Sequence, residues 1–159
     1  MRLIRTTLSI LIFSLVTANS FGKSPENLKF EDFISSDVAY DSDGNMTSVK
    51  SMSSKYKLIY FTASWCGPCK KITKIIQSKS MENSDELVVI VISYDSGQKL
   101  ADYMSDKTGW YYVKYDKSLG SKLNKLANTR NVASIPTRIV FSPTNEYVSV
   151  GEQYSKFKL

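Results

Sequence analysis

Residues 58–71 read LIYFTASWCGPCKK, and they contain both cysteines of the chain, Cys66 and Cys69. The apolar run from Leu58 to Thr62 is typical of a β-strand, and the segment after it predicts a helix that opens at the cysteines. Such a helix directs unpaired backbone N–H groups and the positive end of its dipole at the Cys66 sulfur. These groups stabilise a thiolate and lower the thiol pKa from its usual value of about 8.5.

The spacing of the two cysteines predicts a different role for each. Only a thiolate attacks a disulfide, so Cys66 is the candidate nucleophile. Cys69 follows one helical turn later on the same face, where it can reach back and resolve a mixed disulfide. Pro68 lacks an N–H, but donors in the first turn of a helix are unpaired in any case. The pattern indicates a redox-active Cys66–Cys69 pair that needs no cofactor.

Three other interpretations of the pair have less support. A zinc site commonly uses four Cys or His ligands, and without histidine two carboxylates would have to complete it, so we expect no metal. Covalent haem attachment needs a histidine directly after the second cysteine, where Lys70 stands. A purely structural disulfide would close too small a loop to add much stability. Redox chemistry is therefore favoured.

The amino terminus has the pattern of a secretory signal. Arg2 and Arg5 precede an apolar run at residues 8–16, and small residues follow at 18–20. The 159-residue chain is therefore expected to comprise a signal peptide (1–20), a linker or lead-in (21–32) and one domain (33–159). The product would be exported, to the periplasm or out of the cell. An uncleaved anchor has less support because the run is short for a bilayer of about 30 Å, as has a cytosolic N-terminal helix.

The charge distribution argues against nucleic acid as a partner. The chain carries 21 Lys and Arg against 15 Asp and Glu, a net charge of +6. The lysines are scattered, and aromatic residues do not interleave with them as a nucleic-acid surface requires. We interpret them as solvated helix faces.

Hydrophobic periodicity predicts alternating strands and helices. The expected strands are 38–40, 46–49, 58–62, 87–93, 110–114, 138–141 and 147–150. Helices are expected after Cys66, around residues 100–104 and around residues 119–128. In the first helix we expect Ile72, Ile75 and Ile76 to face the core. This order predicts an α/β fold with a mixed central sheet and helices on both faces.

The assembled motifs resemble those of the thioredoxin superfamily. They are the strand, Trp65 to Lys70, and the later Ile135-Pro136-Thr137. Residues 60–65, 92–95, 110 and 134–137 resemble the tryparedoxin and nucleoredoxin branch. The exported context is similar to that of bacterial thioredoxin-like proteins of the TlpA and ResA type. The likeness covers about residues 33–151 and implies a thioredoxin fold.

The resemblance also implies roles for residues around the dithiol. Cys66 would attack and Cys69 would resolve, while Trp65 shields the site and Gly67-Pro68 tunes its potential. Pro136 would be a cis proline packed against the disulfide. The Ile135 backbone would then pair with an extended substrate beside the reactive sulfur.

Two features depart from the family pattern. Tyr60 stands where thioredoxins carry a buried aspartate that assists proton transfer to the resolving thiol, so no general base is assigned. After Gly151 only residues 152–159 remain, which predicts a shortened closing helix. One sheet face would then be covered by the N-terminal segment or by a partner subunit, or be left partly exposed as a contact surface.

These features favour an exported thiol-disulfide oxidoreductase that reduces protein disulfides and is itself reduced by a membrane thiol donor. The alternative is an oxidase or isomerase of the same fold, which installs or shuffles disulfides. A lesser alternative is a binding module in which the dithiol is idle.

Overall fold

The computed structural model describes residues 29–34, 37–115, 135–150 and 156–157. Seven strands lie within these ranges: β1 (Val38–Asp41), β2 (Met46–Ser48), β3 (Tyr56–Thr62), β4 (Leu87–Ser93), β5 (Trp110–Val113), β6 (Thr137–Phe141) and β7 (Tyr147–Val150). Two α-helices, α1 (Gly67–Glu82) and α2 (Gln98–Met104), and two 3-10 turns, Phe30–Asp32 and Val49–Met52, accompany them. The predicted helix at 119–128 and the predicted signal at 1–20 lie outside the described residues.

The strands form one mixed sheet in the order β2-β1-β5-β4-β3-β6-β7. β3, β4 and β5 run parallel, whereas β6 pairs antiparallel with β3 and β7 with β6. The hairpin of β1 and β2 adds antiparallel to β5. Every residue of β4 is buried, as expected for a central strand that is covered on both faces. The mixed α/β fold class predicted from the sequence is confirmed.

Different elements cover the two faces of the sheet. α1 and α2 connect successive parallel strands, and crossovers of this kind are almost always right-handed, which places both helices on the same face. The core on that helical face contains Leu58, Tyr60, Ile76, Val89, Val91, Met104, Trp110 and Val140. On the opposite face the N-terminal segment and the second 3-10 turn cover the strands through Phe30, Phe33, Ile34, Val49 and Met52.

The described part of the N-terminal segment packs on the sheet from Lys29 onward. This residue forms an antiparallel bridge with Glu146, and Phe30 is 4% exposed, with its ring 5.5 Å from that of Phe141. The described end of the predicted lead-in is therefore part of the folded structure. The sequence left three possibilities for one sheet face, which were the N-terminal segment, a partner subunit and partial exposure. In the described residues, the N-terminal segment covers the face opposite the helices.

The buried stripe of α1 differs from the predicted one. Ile76 is fully buried and Ile72 partly so, but Ile75 is 37% exposed. The stripe runs through Cys69, Thr73, Ile76 and Ser80 instead. The Thr73 and Ser80 hydroxyls tolerate burial because each has a partner, Tyr60 Oη at 3.0 Å and Trp110 Nε1 at 2.8 Å.

β3 begins two residues earlier than predicted and carries a buried cation. Lys57 is 1% exposed, and its ammonium donates to the Pro143 carbonyl at 2.9 Å. Burial lowers the pKa of Lys57, and the nearby Glu31 carboxylate opposes that shift. β2 ends one residue earlier than predicted, because Val49 belongs to the second 3-10 turn.

The far end of the described chain packs on the helical face. Phe157 is 2% exposed, and its ring lies 5.5 Å from that of Tyr56. Residues 151–155 and 158–159, which include most of the predicted shortened helix, lie outside the described residues. Within the described ranges, no helix is both long and apolar enough to cross a membrane.

Candidate active site

The two cysteines lie at the start of α1 and are joined by a disulfide, with Cα atoms 5.2 Å apart. Cys66 is the N-cap of the helix, and its Sγ accepts a hydrogen bond from the Cys69 backbone N–H at 3.2 Å. Cys66 is 5% exposed and Cys69 1%. The Cys66 sulfur lies at the positive end of the helix dipole, which favours its thiolate on reduction.

The surroundings of the disulfide are apolar on one side and open on the other. Ile135 packs against Ala63 and both cysteines, and the Ile135–Pro136 peptide bond is cis, as predicted. The ring of Trp65 is 66% exposed, and Gly67 and Pro68 are exposed as well. The structure thus brings Ile135 to the disulfide, and exposed residues flank the buried Cys66 on both sides in the chain.

A buried carboxylate holds the segment that leads into Cys66. Asp95 is 6% exposed and lies just after β4, next to the end of β3. Its oxygens accept hydrogen bonds from the Ser64 N–H at 2.5 Å, the Ser64 hydroxyl at 3.0 Å and the Ser93 hydroxyl at 3.1 Å. We call Ser64, Ser93 and Asp95 the Asp95 cluster. Because Ser64 lies two residues before Cys66, the cluster fixes the backbone segment that leads into Cys66.

A series of hydrogen-bonded hydroxyl groups ends at the Cys69 carbonyl. The Tyr60 hydroxyl donates to the Cys69 carbonyl at 3.1 Å and lies 3.0 Å from Thr73 Oγ1. Thr73 Oγ1 lies 3.1 Å from the Tyr103 hydroxyl, which is 3.4 Å from Thr62 Oγ1. We call these four residues the hydroxyl chain. Tyr60, which replaces the aspartate of the family pattern, therefore contacts the backbone of Cys69.

Burial is the main cause of the raised pKa of Tyr103, which is about 12. The Thr62 and Thr73 hydroxyls act in the opposite direction. The Lys107 ammonium also lies 4.0 Å from the centre of the Tyr103 ring. With a pKa of about 12, the Tyr103 hydroxyl keeps its proton at neutral pH and serves as a hydrogen-bond donor.

The helix that carries the dithiol is positively charged near its start. Lys70, Lys71 and Lys74 are exposed, and the first turn of α1 has no acidic residue. These charges add to the helix dipole and favour an anionic sulfur. No group of three or more His, Cys, Asp and Glu suited to a metal ion occurs in the described ranges.

Sequence reasoning missed the polar residues that hold the dithiol. It assigned no role to Asp95, Thr73 or Tyr103. An aspartate directly after a buried parallel strand was the one available signal, because such positions meet at the edge of the sheet where sites form. Thr73 and Tyr103 gave no comparable signal, since each becomes informative only when its partner is known.

Comparisons with known proteins agree with this geometry. A protein-family model described as thioredoxin-like matches residues 54–148. Nucleoredoxin of Mus musculus is 28% identical over 111 residues, which are 67% of this chain and 25% of nucleoredoxin. Tryparedoxin of Trypanosoma brucei brucei is 31% identical over 98 residues, or 60% of this chain and 66% of that protein. The chain thus spans about a quarter of the length of the curated nucleoredoxins it matches.

Solved structures extend the agreement to the whole fold. Native tryparedoxin I from Crithidia fasciculata is 26% identical, with a TM-score of 0.62 over 79% of this chain and 95% of that one. The predicted resemblance to tryparedoxin and nucleoredoxin is confirmed. Because the family model covers more than half of the chain and the fold agrees with it, the chain belongs to the thioredoxin-like family.

Proposed function

We propose that the protein is an exported thiol-disulfide oxidoreductase that reduces protein disulfides through Cys66 and Cys69. The observation that carries the proposal is the position of Cys66, which caps α1 next to the exposed Trp65 and Gly67 while Ile135 packs on the disulfide. A helix N-terminus stabilises the attacking thiolate, and an open approach is needed for a protein substrate.

The reaction runs through a mixed disulfide. The Cys66 thiolate bonds to one substrate sulfur, and the other substrate sulfur leaves as a thiolate. Cys69, after losing its proton, then attacks Cys66 Sγ and expels the second substrate thiolate. The substrate gains two electrons, and the protein is left with the Cys66–Cys69 disulfide. A donor dithiol, proposed to lie in the membrane, restores the reduced pair by the same exchange.

Substrate is proposed to bind in extended form beside Ile135. The residue packs on the disulfide, and the strand β6 begins directly after Pro136. Backbone pairing at this position would align a substrate disulfide with Cys66 and leave sequence preference to the side chains. The exposed Trp65 would contact the substrate on the other side.

The direction of electron flow is tested by the reduction potential of the purified protein. The protein is equilibrated in buffers of defined potential, and its free thiols are trapped and counted. A value near about −270 mV would support the reductase, which is the direction favoured by Gly67-Pro68 and Ile135. A value between about −180 and −120 mV would make the protein an isomerase or an oxidase.

The cysteine roles are tested by trapping. Cys69→Ser should accumulate mixed disulfides between Cys66 and its substrates, because the resolving thiol is gone. Cys66→Ser should accumulate none, and the double variant serves as the control. Equal trapping by both single variants would contradict the assigned roles. A biological activity that survives in the double variant would instead indicate a binding module with an idle dithiol.

Export is proposed from Arg2, Arg5 and the apolar run at residues 8–16. The test is the N-terminal sequence of the protein recovered from its native host. A mature chain that begins near residue 21 supports a cleaved signal. A chain that retains residues 1–20 contradicts cleavage, and its recovery with membranes would indicate an anchor.

A further inference from the structure

We propose that Tyr60, Thr73 and Tyr103 are positioning residues that hold the Cys69 backbone and thereby set the rate at which Cys69 resolves a mixed disulfide. This inference rests on the proposed dithiol function and adds a role for residues that no step of that function uses. It concerns the second thiol exchange and leaves the attack by Cys66 unaffected.

The direction of the hydrogen bonds follows from the chemistry of their members. A carbonyl can only accept, so the Tyr60 hydroxyl donates its one hydrogen to the Cys69 carbonyl at 3.1 Å. Tyr60 Oη must then accept from Thr73, and Thr73 from Tyr103. Tyr103 in turn accepts from Thr62. All four donors point toward Cys69, and bonds aligned in this way strengthen one another.

The chain joins three elements of the fold. Tyr60 and Thr62 lie on β3 and are fully buried, Thr73 lies on α1 and is 7% exposed, and Tyr103 lies on α2. A buried hydroxyl without a hydrogen-bond partner would destabilise the fold, so the hydrogen bonds among these residues stabilise this arrangement. The first turns of α1 are thereby tied to both the sheet and the second helix.

Resolution is sensitive to this tie because it is an intramolecular reaction. The Cys69 N–H donates a hydrogen bond to Cys66 Sγ at 3.2 Å, and the Cys69 carbonyl accepts one from Tyr60. The rate of an intramolecular attack depends steeply on how well the reacting groups are held. The hydroxyl chain ends on the Cys69 carbonyl rather than on its sulfur, so it positions the residue and is not a route for its proton.

The two thiol exchanges can be followed separately with 5,5′-dithiobis(2-nitrobenzoate), an aromatic disulfide whose thiolate product is coloured. In the reduced protein, attack by Cys66 on the reagent releases one thionitrobenzoate and leaves the other bonded to Cys66 Sγ. Attack by Cys69 on Cys66 Sγ releases the second. The reagent gains the two electrons that the dithiol loses, and the Cys66–Cys69 disulfide forms.

Thr73→Val breaks the hydroxyl chain in its middle with little change in shape. We expect the second release to slow by roughly threefold to tenfold, the effect of one buried hydrogen bond, and the first release to change by less than about twofold. Thr73→Ser keeps a hydroxyl and should restore the second rate. Tyr103→Phe, which breaks the hydroxyl chain one step farther from Cys69, should also slow the second release.

Ser80→Ala is the matched control. It lies in the same helix two turns farther along, and the change removes the buried hydrogen bond that Ser80 Oγ accepts from Trp110 Nε1 and the one that it donates to the Gln77 carbonyl. The variant should lose stability without a change in either release rate. If it slowed the second release as much as Thr73→Val does, general destabilisation would explain the effect and the positioning role would be wrong.

The remaining outcomes separate the two proposals. A wild-type protein that releases no second equivalent would overturn the dithiol function itself. A wild-type protein that releases both, with unchanged rates in Thr73→Val and Tyr103→Phe, would overturn only the positioning role. Equal slowing of both releases in Thr73→Val would also overturn it, because the effect would not be specific to Cys69.

Discussion

Cys66 and Cys69 lie three residues apart, yet different chemistry holds each of them. The segment before Cys66 is tied to a buried carboxylate, Asp95, which accepts three hydrogen bonds. The backbone of Cys69 is tied to uncharged hydroxyls that begin with Tyr60. Hydrogen bonds to charged groups are worth about 1.5–3 kcal/mol each and neutral ones about 1 kcal/mol. We therefore expect the Cys66 side and the Cys69 side of the site to respond to different substitutions.

The largest effect is expected from Asp95→Asn on the Cys66 side. Loss of the charge weakens three hydrogen bonds and leaves an amide N–H₂ facing other donors, so we expect the free energy of unfolding to fall by about 2–3 kcal/mol. Urea denaturation of the oxidised protein measures the change. The first release of thionitrobenzoate should slow while the second keeps its rate.

Asp85→Asn, at an exposed carboxylate, is the control for Asp95→Asn. It should leave the free energy of unfolding within about 0.5 kcal/mol of the wild-type value. An Asp95→Asn protein that is equally stable would show that the carboxylate does not hold the segment before Cys66.

A smaller effect is expected from Tyr60→Phe on the Cys69 side. The variant removes one hydroxyl, while the Cys69 carbonyl keeps its place in the helix, so the free energy of unfolding should fall by about 1 kcal/mol. Denaturation in urea again provides the measurement. A loss equal to that of Asp95→Asn would remove the distinction between a charged side and a neutral side.

Alkaline pH tests the uncharged hydroxyls on the Cys69 side of the site through Tyr103. Its pKa is about 12 in the folded protein, whereas a tyrosine in an unfolded chain titrates near about 10. Between these values the unfolded chain binds fewer protons than the folded one, so the free energy of unfolding falls as pH rises. Tyr103→Phe removes this contribution and should make the fall shallower.

The measurement for Tyr103 is a series of urea denaturation curves from about pH 9 to 11.5 for both proteins. The quantity compared is the slope of the unfolding free energy against pH. Identical slopes for wild type and Tyr103→Phe would contradict a raised pKa for the buried hydroxyl.

The smallest effect is expected from Gly67→Ala, between the two halves. A Cβ at Gly67 would meet no atom within 4 Å, and alanine restricts the unfolded chain, so stability should be unchanged or higher by up to about 1 kcal/mol. Thermal unfolding measures it. Gly109→Ala is the control, because the φ of +79° at Gly109 is strained for alanine and that variant should be less stable.

Local patterns in the sequence were sufficient for most of the fold. Strands β3, β4 and β6 and the helix start at Cys66 follow from hydrophobic runs and helix capping. The Cys66–Cys69 spacing indicated the chemistry because helix geometry alone brings residues three apart together. The sequence failed at Ile75, where an apolar residue was assigned to the core and lies 37% exposed.

Only the tertiary structure showed what holds the dithiol. Asp95 lies 31 residues from Ser64, and Tyr103 lies 30 residues from Thr73. A polar side chain is stable in the interior only when a partner satisfies it, and the partner is decided by how β4 and α2 pack against the start of α1. Composition and periodicity describe each segment separately, so the dithiol could be predicted from the sequence while its supports could not.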